Sequence, residues 1–146
     1  MSGPWIAQVI EQLLPDGLNV EQGGGSTGFG HVVVDDGRGQ SFVAVNVQRW
    51  MPHDPQIAQV FNGASIRPDG TRVLVQRGPS SHGGRGAVEW QVDTLREDGL
   101  RIAVSTVNAR AYFLPASRNK PVLDTHQLER IALDRMWQRL TLDGAQ

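Results

Sequence analysis

The sequence predicts an α+β protein in which a mostly antiparallel sheet of about five strands carries one helix from each end of the chain. Three observations predict this class: two alternating runs with a turn signal between them, a second pair of valine-rich runs joined by Asp-Asp-Gly, and an amphipathic segment at each terminus. A chain of 146 residues can bury a substantial core, so we expect a single domain spanning residues 1–146.

The clearest element is the hairpin formed by residues 88–94 and 100–106. In both runs, β-branched or aromatic residues alternate with polar ones, which is the period of a strand with one buried face. Residues 96–99 end in Asp-Gly and supply the turn. We expect Thr94 to pair with Leu100, which places the apolar side chains of both runs on one face and sets Asp93 opposite Arg101.

The N-terminal part of the chain predicts one helix and a second hairpin. Pro4 begins a helix whose apolar side chains recur at helical spacing as far as Leu14. Residues 18–20 fit a short strand, and the glycine-rich residues 23–28 have the composition of a flexible loop. The second hairpin joins strands at residues 29–35 and 41–48.

Three further elements complete the predicted fold. Asp54 and Pro55 begin a short helix, and residues 71–77 form the fifth strand. Asp124 or Thr125 caps the C-terminal helix. Its apolar stripe consists of Leu128, Ile131, Ala132, Met136 and Leu140, and Asp143-Gly144 ends it.

Composition narrows the classes of function. The absence of Cys excludes disulfides and cysteine-ligated metals, and a formal net charge of -1 gives no basic footprint for nucleic acid. Charge is uneven, since residues 67–118 carry eight Arg against five acids. That excess is typical of a solvated sheet face or of an anionic contact. The sequence predicts no signal peptide and no membrane span, so taken literally it predicts a cytoplasmic chain.

The sequence offers no convincing catalytic constellation. Residues 24–28 match the nucleophile elbow of hydrolases, but that motif requires a following helix and here a strand follows. Asp35 and Asp36 stand beside Gly37 and are typical of a turn. The histidines show no metal-ligand spacing; they are His31, His53, His82 and His126. We therefore expect no catalytic residue, no metal and no cofactor.

Two groups of residues are candidates for binding. Residues 78–86 form a loop that holds His82 and Arg85 near Arg77, and we expect these three donors to contact an anionic ligand or a protein partner. Alternatively, Trp90 and Trp137 line a small-molecule pocket between the sheet and the C-terminal helix, although both also fit core positions.

Five stretches carry a resemblance to a known group of proteins: residues 13–17, 30–39, 43–48, 93–101 and 127–132. On these stretches, from about Leu13 to Trp137, the chain resembles the outer domains of actinobacterial membrane-anchored or lipoprotein-type proteins that are often encoded beside extracytoplasmic-function sigma factors. The matching positions are turn glycines, strand valines and a terminal helix, and no catalytic residue comes with them. The order of elements is also similar to the Mog1/PsbP-like α/β/α sandwich, which serves binding and accessory roles.

The resemblance implies a non-enzymatic binding or sensory domain in the extracytoplasmic part of an envelope protein, with its signal or tether before Met1. Recognition is expected from residues 78–86 and the turn at 36–39, because loops on a rigid sheet commonly carry function. A pocket protein or minor enzyme is the alternative. An oligomerising module that uses the edge strand at 71–77 is a third class.

Overall fold

The computed structural model describes residues 1–142, with side chains up to Arg139. The predicted end of the last helix at Asp143-Gly144 lies outside the described residues. In chain order the elements are α1 (Gly3–Leu13), β1 (Asn19–Ser26), β2 (Phe29–Asp35), β3 (Gln40–Arg49), α2 (Gln56–Val60), β4 (Ser65–Ile66), β5 (Arg72–Pro79), β6 (Val88–Leu95), β7 (Leu100–Val107), α3 (Thr125–Ala132) and α4 (Arg135–Leu142).

The strands form one antiparallel sheet in the order β1-β2-β3-β7-β6-β5-β4. The α+β class with an antiparallel sheet is therefore confirmed, whereas the predicted number of five strands is wrong, because the described residues form seven. The strands beyond the predicted five are β4 and β1, of which only a short piece at residues 18–20 was expected. β4 consists of only two residues, which is too short for any alternation to be visible in the sequence.

β1 includes the glycine-rich run that the sequence predicted to be a loop. Gly24, Gly25 and Ser26 pair with residues 29–31 of β2, after a bulge at Gly23. Glycine is required here because a Cβ at Gly25 would come within 2.0 Å of the carbonyl oxygen of Phe29. The glycines therefore allow a close approach of backbones rather than flexibility.

In the hairpin of β6 and β7, the side chains lie on the predicted faces, but the register of the pairing differs from the prediction. Thr94 pairs with Ile102 and Leu95 with Arg101, which is a shift of two residues from the expected pairing of Thr94 with Leu100. The cause is a tight turn in which the Gly99 amide donates to the Arg96 carbonyl and the Arg96 amide donates to the Leu100 carbonyl. Asp93 now lies diagonally from Arg101, whose Nε donates to Asp93 Oδ1 over 2.9 Å.

The terminal helices begin close to the predicted starts, α1 at Gly3 rather than at Pro4, and α3 at Thr125. The side chain of Ser2 accepts from the Trp5 amide and caps α1. Asp124 and Gln127 form a capping box at the start of α3. The C-terminal helix is divided into α3 and α4, because Asp134 accepts from the Met136 amide and caps a second helix.

One face of the sheet, the helix face, carries the main core. α1 packs on β1, β2 and β3, while α3 packs on β6 and β7. One cluster of buried apolar residues continues across both halves, from Ile6 and Ile10 through Val45 and Val104 to Leu128 and Trp137. Within residues 1–142, no helix combines the length and the apolar character needed to cross a bilayer.

Among the described residues, apolar clusters cover the opposite face, the open face, at its two ends. At one end α2 packs through Ile57 and Phe61 onto Leu95. At the other end Phe42 and Val107 pack against Ala109 and Tyr112 from the segment that follows β7. The candidate site lies at this second end.

Candidate functional site

Three loops meet at one end of the sheet. They are the β2–β3 turn (residues 36–39), the β5–β6 loop (residues 80–87) and the segment after β7 (residues 108–120). Because every neighbouring pair of strands is antiparallel, the C-terminal ends of β2, β5 and β7 all lie at this same end of the sheet. The two loops from which recognition was expected both contact the segment after β7, through Gly39 and Arg85 respectively. We call the three loops together the loop surface.

Asn108 holds the loop surface together. Its buried side chain donates to the carbonyls of Arg118 (2.8 Å), Asn119 (3.2 Å) and Gly86 (3.3 Å). Its Oδ1 atom accepts from the Val88 amide at 2.7 Å. A single amide thus satisfies backbone groups from two loops, which fixes both loops relative to the sheet.

Arg118 ties the β2–β3 turn to the same assembly. Its guanidinium donates to Asp36 Oδ1 over 2.6 Å and to the Gly39 carbonyl over 3.0 Å. The hydrogen bond from Arg118 lowers the pKa of the Asp36 carboxyl below its ordinary value, so Asp36 is ionised at neutral pH. The turn at 36–39 is therefore anchored by charge as well as by backbone geometry.

A row of aromatic rings crosses the open face and ends in the loop surface. The His31 ring stacks on Phe42 with centroids 4.7 Å apart, and Phe42 meets Tyr112 at 4.5 Å. His82 stacks on the other side of Tyr112 at 4.0 Å and meets the edge of Phe113 at 5.6 Å. Such stacked and edge-on arrangements are favourable beyond the area they bury.

Two titratable groups in this row, His31 and Tyr112, have pKa values shifted toward their neutral forms. Burial lowers the pKa of His31 despite a hydrogen bond to the backbone of Gly24. Burial also raises the pKa of Tyr112, and the nearby Glu89 charge adds to that effect. His82 Nε2 lies 4.0 Å from Glu89 Oε1, so a protonated His82 has an acidic neighbour.

The loop surface exposes large apolar side chains at its centre. Phe113 is 76% exposed and Leu114 is 43% exposed. Beside them a recess of about 230 Å³ lies over His31 and Phe42, with Leu114 and Arg110 at its rim. Arg110 is held by an ion pair with Glu21 at 3.0 Å. An exposed aromatic tip next to a shallow recess is a shape that suits contact with another molecule.

The three donors predicted as one site are not brought together. Arg77 lies on the helix face, where it donates to Thr125 Oγ1 over 2.6 Å and covers the Trp90 ring at 5.4 Å. His82 lies on the open face, stacked on Tyr112. Arg85 is exposed in the β5–β6 loop, and its carbonyl accepts from the Ala116 amide. His82 and Arg85 therefore belong to the loop surface, and Arg77 does not.

The predicted pocket between the sheet and the C-terminal helices has little space. Trp137 is 1% exposed, and its indole donates to the Ile131 carbonyl over 2.8 Å. The cavity that Trp137 lines with Thr94 and Leu100 has a volume of about 10 Å³, which suffices for about one water molecule. Trp90 is half-buried beneath Arg77. In this conformation both tryptophans serve as core residues.

Neither of two motifs weighed as catalytic has the geometry of a catalytic site. Ser26, at the centre of the elbow-like sequence, is the last residue of β1, and a strand rather than a helix follows it. Asp35 accepts from the Gly37 amide as a turn residue does. Within residues 1–142, no group of three or more His, Asp or Glu side chains is arranged to hold a metal ion.

Sequence reasoning missed Asn108, Tyr112 and Phe113 as functional residues. The apolar run at residues 112–114 between polar neighbours was a visible signal, because such a run in a loop has no strand or helix face to bury it. Asn108 had no signal, since an asparagine after a strand is also typical of an ordinary turn.

Comparisons with protein-family models, with curated proteins and with solved structures found no match to this chain. The function is therefore inferred from the arrangement of its side chains and from the resemblance described above.

Proposed function

We propose that this chain is a non-enzymatic binding or sensory domain that recognises a protein partner through the loop surface. The exposed ring of Phe113 supports this most directly: a large aromatic side chain stands in solvent beside the stacked pair of His82 and Tyr112. Exposed aromatic side chains on a preorganised support bind with a small loss of conformational entropy.

Arg85, which the sequence already indicated as a binding residue, supplies the polar rim of the contact. Arg85 is exposed in the same loop as His82, so an acidic group on the partner can pair with Arg85 while an apolar group packs on Phe113. Arg77 lies on the helix face and takes no part in this contact.

The resemblance to outer domains of sigma-factor-linked envelope proteins adds a setting to the proposal. In that setting the domain is extracytoplasmic and reaches its partner outside the cytoplasm. The order of elements supports a likeness to Mog1/PsbP-like sandwiches, which serve accessory roles. Within residues 1–142, however, the terminal helices pack on one face and α2 is the helix that packs on the other.

Site-specific photo-crosslinking in living cells tests the proposal. We would place a benzophenone amino acid at Phe113 and, as a matched control, at Met51, which is 75% exposed at the other end of the sheet. We expect a discrete protein adduct from position 113 and none from position 51. We also expect the variant His82→Ala to reduce the adduct, because the ring beside Phe113 is lost. Equal adducts from both positions, or none from position 113, would contradict the proposed site.

A further inference from the structure

A second surface lies at the opposite end of the sheet from the loop surface. The β4–β5 turn, the β6–β7 turn and the junction of α3 with α4 enclose a recess of about 510 Å³, which we call the arginine cleft. Its lining consists of Arg67, Asp69, Thr71, Arg96, Leu133, Arg135 and Gln138. The lining thus contains three guanidinium groups and one carboxylate, while the carboxylates of Glu129, Asp98 and Glu97 lie just outside it.

The arginines of the cleft are only loosely paired. Arg67 lies 4.0 Å from Glu129, and Arg96 Nε lies 3.8 Å from Asp98. Both distances are near the limit of an ion pair and contrast with the 2.6 Å contact between Arg118 and Asp36. Arg135 is exposed and forms no ion pair with the residues that the structure describes.

The carboxylate in the cleft is occupied by other donors. Asp69 accepts from the Thr71 amide over 2.9 Å. This bond, with a second from the Thr71 side chain, lowers the pKa of Asp69, and the charges of Arg96 and Arg67 lower it further. Asp69 therefore stays ionised while it bonds Thr71, and the guanidinium groups keep free donors.

One nitrogen of Arg96 is not available to a ligand. The Nε atom of Arg96 is buried and has no hydrogen-bond partner, which is costly. A ligand in the cleft therefore reaches Arg96 only through the exposed part of its side chain, which is 34% exposed.

We infer that the arginine cleft binds the phosphate group of a small phosphorylated molecule. A phosphate offers several acceptor oxygens and up to two negative charges, which match guanidinium groups in paired hydrogen bonds. The cleft is larger than a phosphate. It also shares Arg67, Leu133 and Arg135 with an adjoining groove of about 620 Å³, which includes the apolar side chains of Leu13 and Leu14. The groove accommodates the remainder of the ligand.

Titration with inorganic pyrophosphate, followed by ¹H–¹⁵N NMR at constant ionic strength, tests this site. We expect saturable shifts of the Thr71, Arg96 and Arg135 amides, and no shifts of Gly37 and Gly83 in the loop surface. Arg135→Gln and Arg67→Gln should each weaken binding about 5- to 10-fold, because each removes a charged donor. Arg38→Gln, at an exposed arginine of the β2–β3 turn, is the matched control and should leave the dissociation constant unchanged.

The spectra of the unliganded variants report whether the fold is intact, and Arg135 is an exposed helix residue that the core does not need. Shifts that do not saturate, or equal binding by Arg135→Gln and the unmodified protein, would overturn the inference. Shifts confined to the loop surface would also overturn it. None of these results affects the crosslinking at Phe113, so each of the two proposals can be contradicted while the other stands.

Discussion

At the scale of a single residue, Asn108 is the side chain on which the loop surface most depends. It is fully buried and its amide bonds four backbone groups. We expect Asn108→Ala to lower the free energy of unfolding by about 2–4 kcal/mol, because several buried carbonyls and one amide lose their partner. Urea denaturation followed by circular dichroism measures this loss.

The matched control is Asn62→Ala, at an exposed asparagine after α2. We expect this change to alter the free energy of unfolding by less than about 0.5 kcal/mol. If the two variants were equally stable, Asn108 would not hold the loops, and the loop surface would lack the rigidity that we ascribe to it.

The residues of the loop surface show what sequence can predict at this scale. His82 and Arg85 could be placed on a loop because glycines surround them. Their partners could not be predicted, because Tyr112 lies thirty positions from His82 and meets it only through the fold. The prediction that Arg77 lies with His82 and Arg85 failed for a simpler reason. Side chains alternate along β5, and the Arg77 side chain lies on the helix face.

At the scale of an element, β1 depends on two glycines that differ in their surroundings. Gly24 and Gly25 both have positive φ, 95° and 146°, so a side chain is strained at either position. A Cβ at Gly24 would meet open space, whereas a Cβ at Gly25 would collide with the Phe29 backbone. The two positions therefore separate backbone strain from steric collision.

We expect Gly24→Ala to cost about 1–2 kcal/mol of stability, from backbone strain alone. Gly25→Ala should cost on the order of 3 kcal/mol or more, because β1 must also move away from β2. Urea denaturation of both variants measures the difference. Equal losses would indicate that β1 is loosely attached and that these glycines provide flexibility, as the composition suggested.

The elements also show why register is harder to predict than faces. Alternation with period two assigned each side chain of β6 and β7 to its face. A shift of two residues preserves every face, so alternation could not distinguish the pairing of Thr94 with Leu100 from that with Ile102. Turn geometry decided between them: the Arg96 amide donates to the Leu100 carbonyl, and the Gly99 amide donates to the Arg96 carbonyl.

At the scale of the whole molecule, the pairing of β3 with β7 joins two halves. α1 covers β1, β2 and β3, while α3 covers β6 and β7. No local pattern predicts that β7 returns to lie beside β3, because the two strands are separated by α2 and by three other strands. The apolar residues of both halves nevertheless form one core, which predicts that the halves unfold together.

Val45 lies in β3, where the two halves join, and pairs with Val104 of β7; both side chains are fully buried. We expect Val45→Ala to cost about 2–3 kcal/mol, from lost burial and an unfilled cavity. Val75→Ala, at a valine of the β5 edge that is 46% exposed, is the control and should cost less than about 0.5 kcal/mol.

Urea denaturation of the 5-fluorotryptophan-labelled protein, followed by ¹⁹F NMR, tests whether the pairing of β3 with β7 couples the unfolding of the two halves. Trp5 lies on α1 and Trp137 on α4, so each half carries its own probe. The other two probes are Trp50, directly after β3, and Trp90, in β6. All four native signals should disappear at one urea concentration, and Val45→Ala should lower all four midpoints equally, because the core is shared. Loss of the Trp5 signal before that of Trp137 would mean that the halves unfold separately. The loop surface and the arginine cleft would then belong to units of different stability, instead of to one cooperative domain.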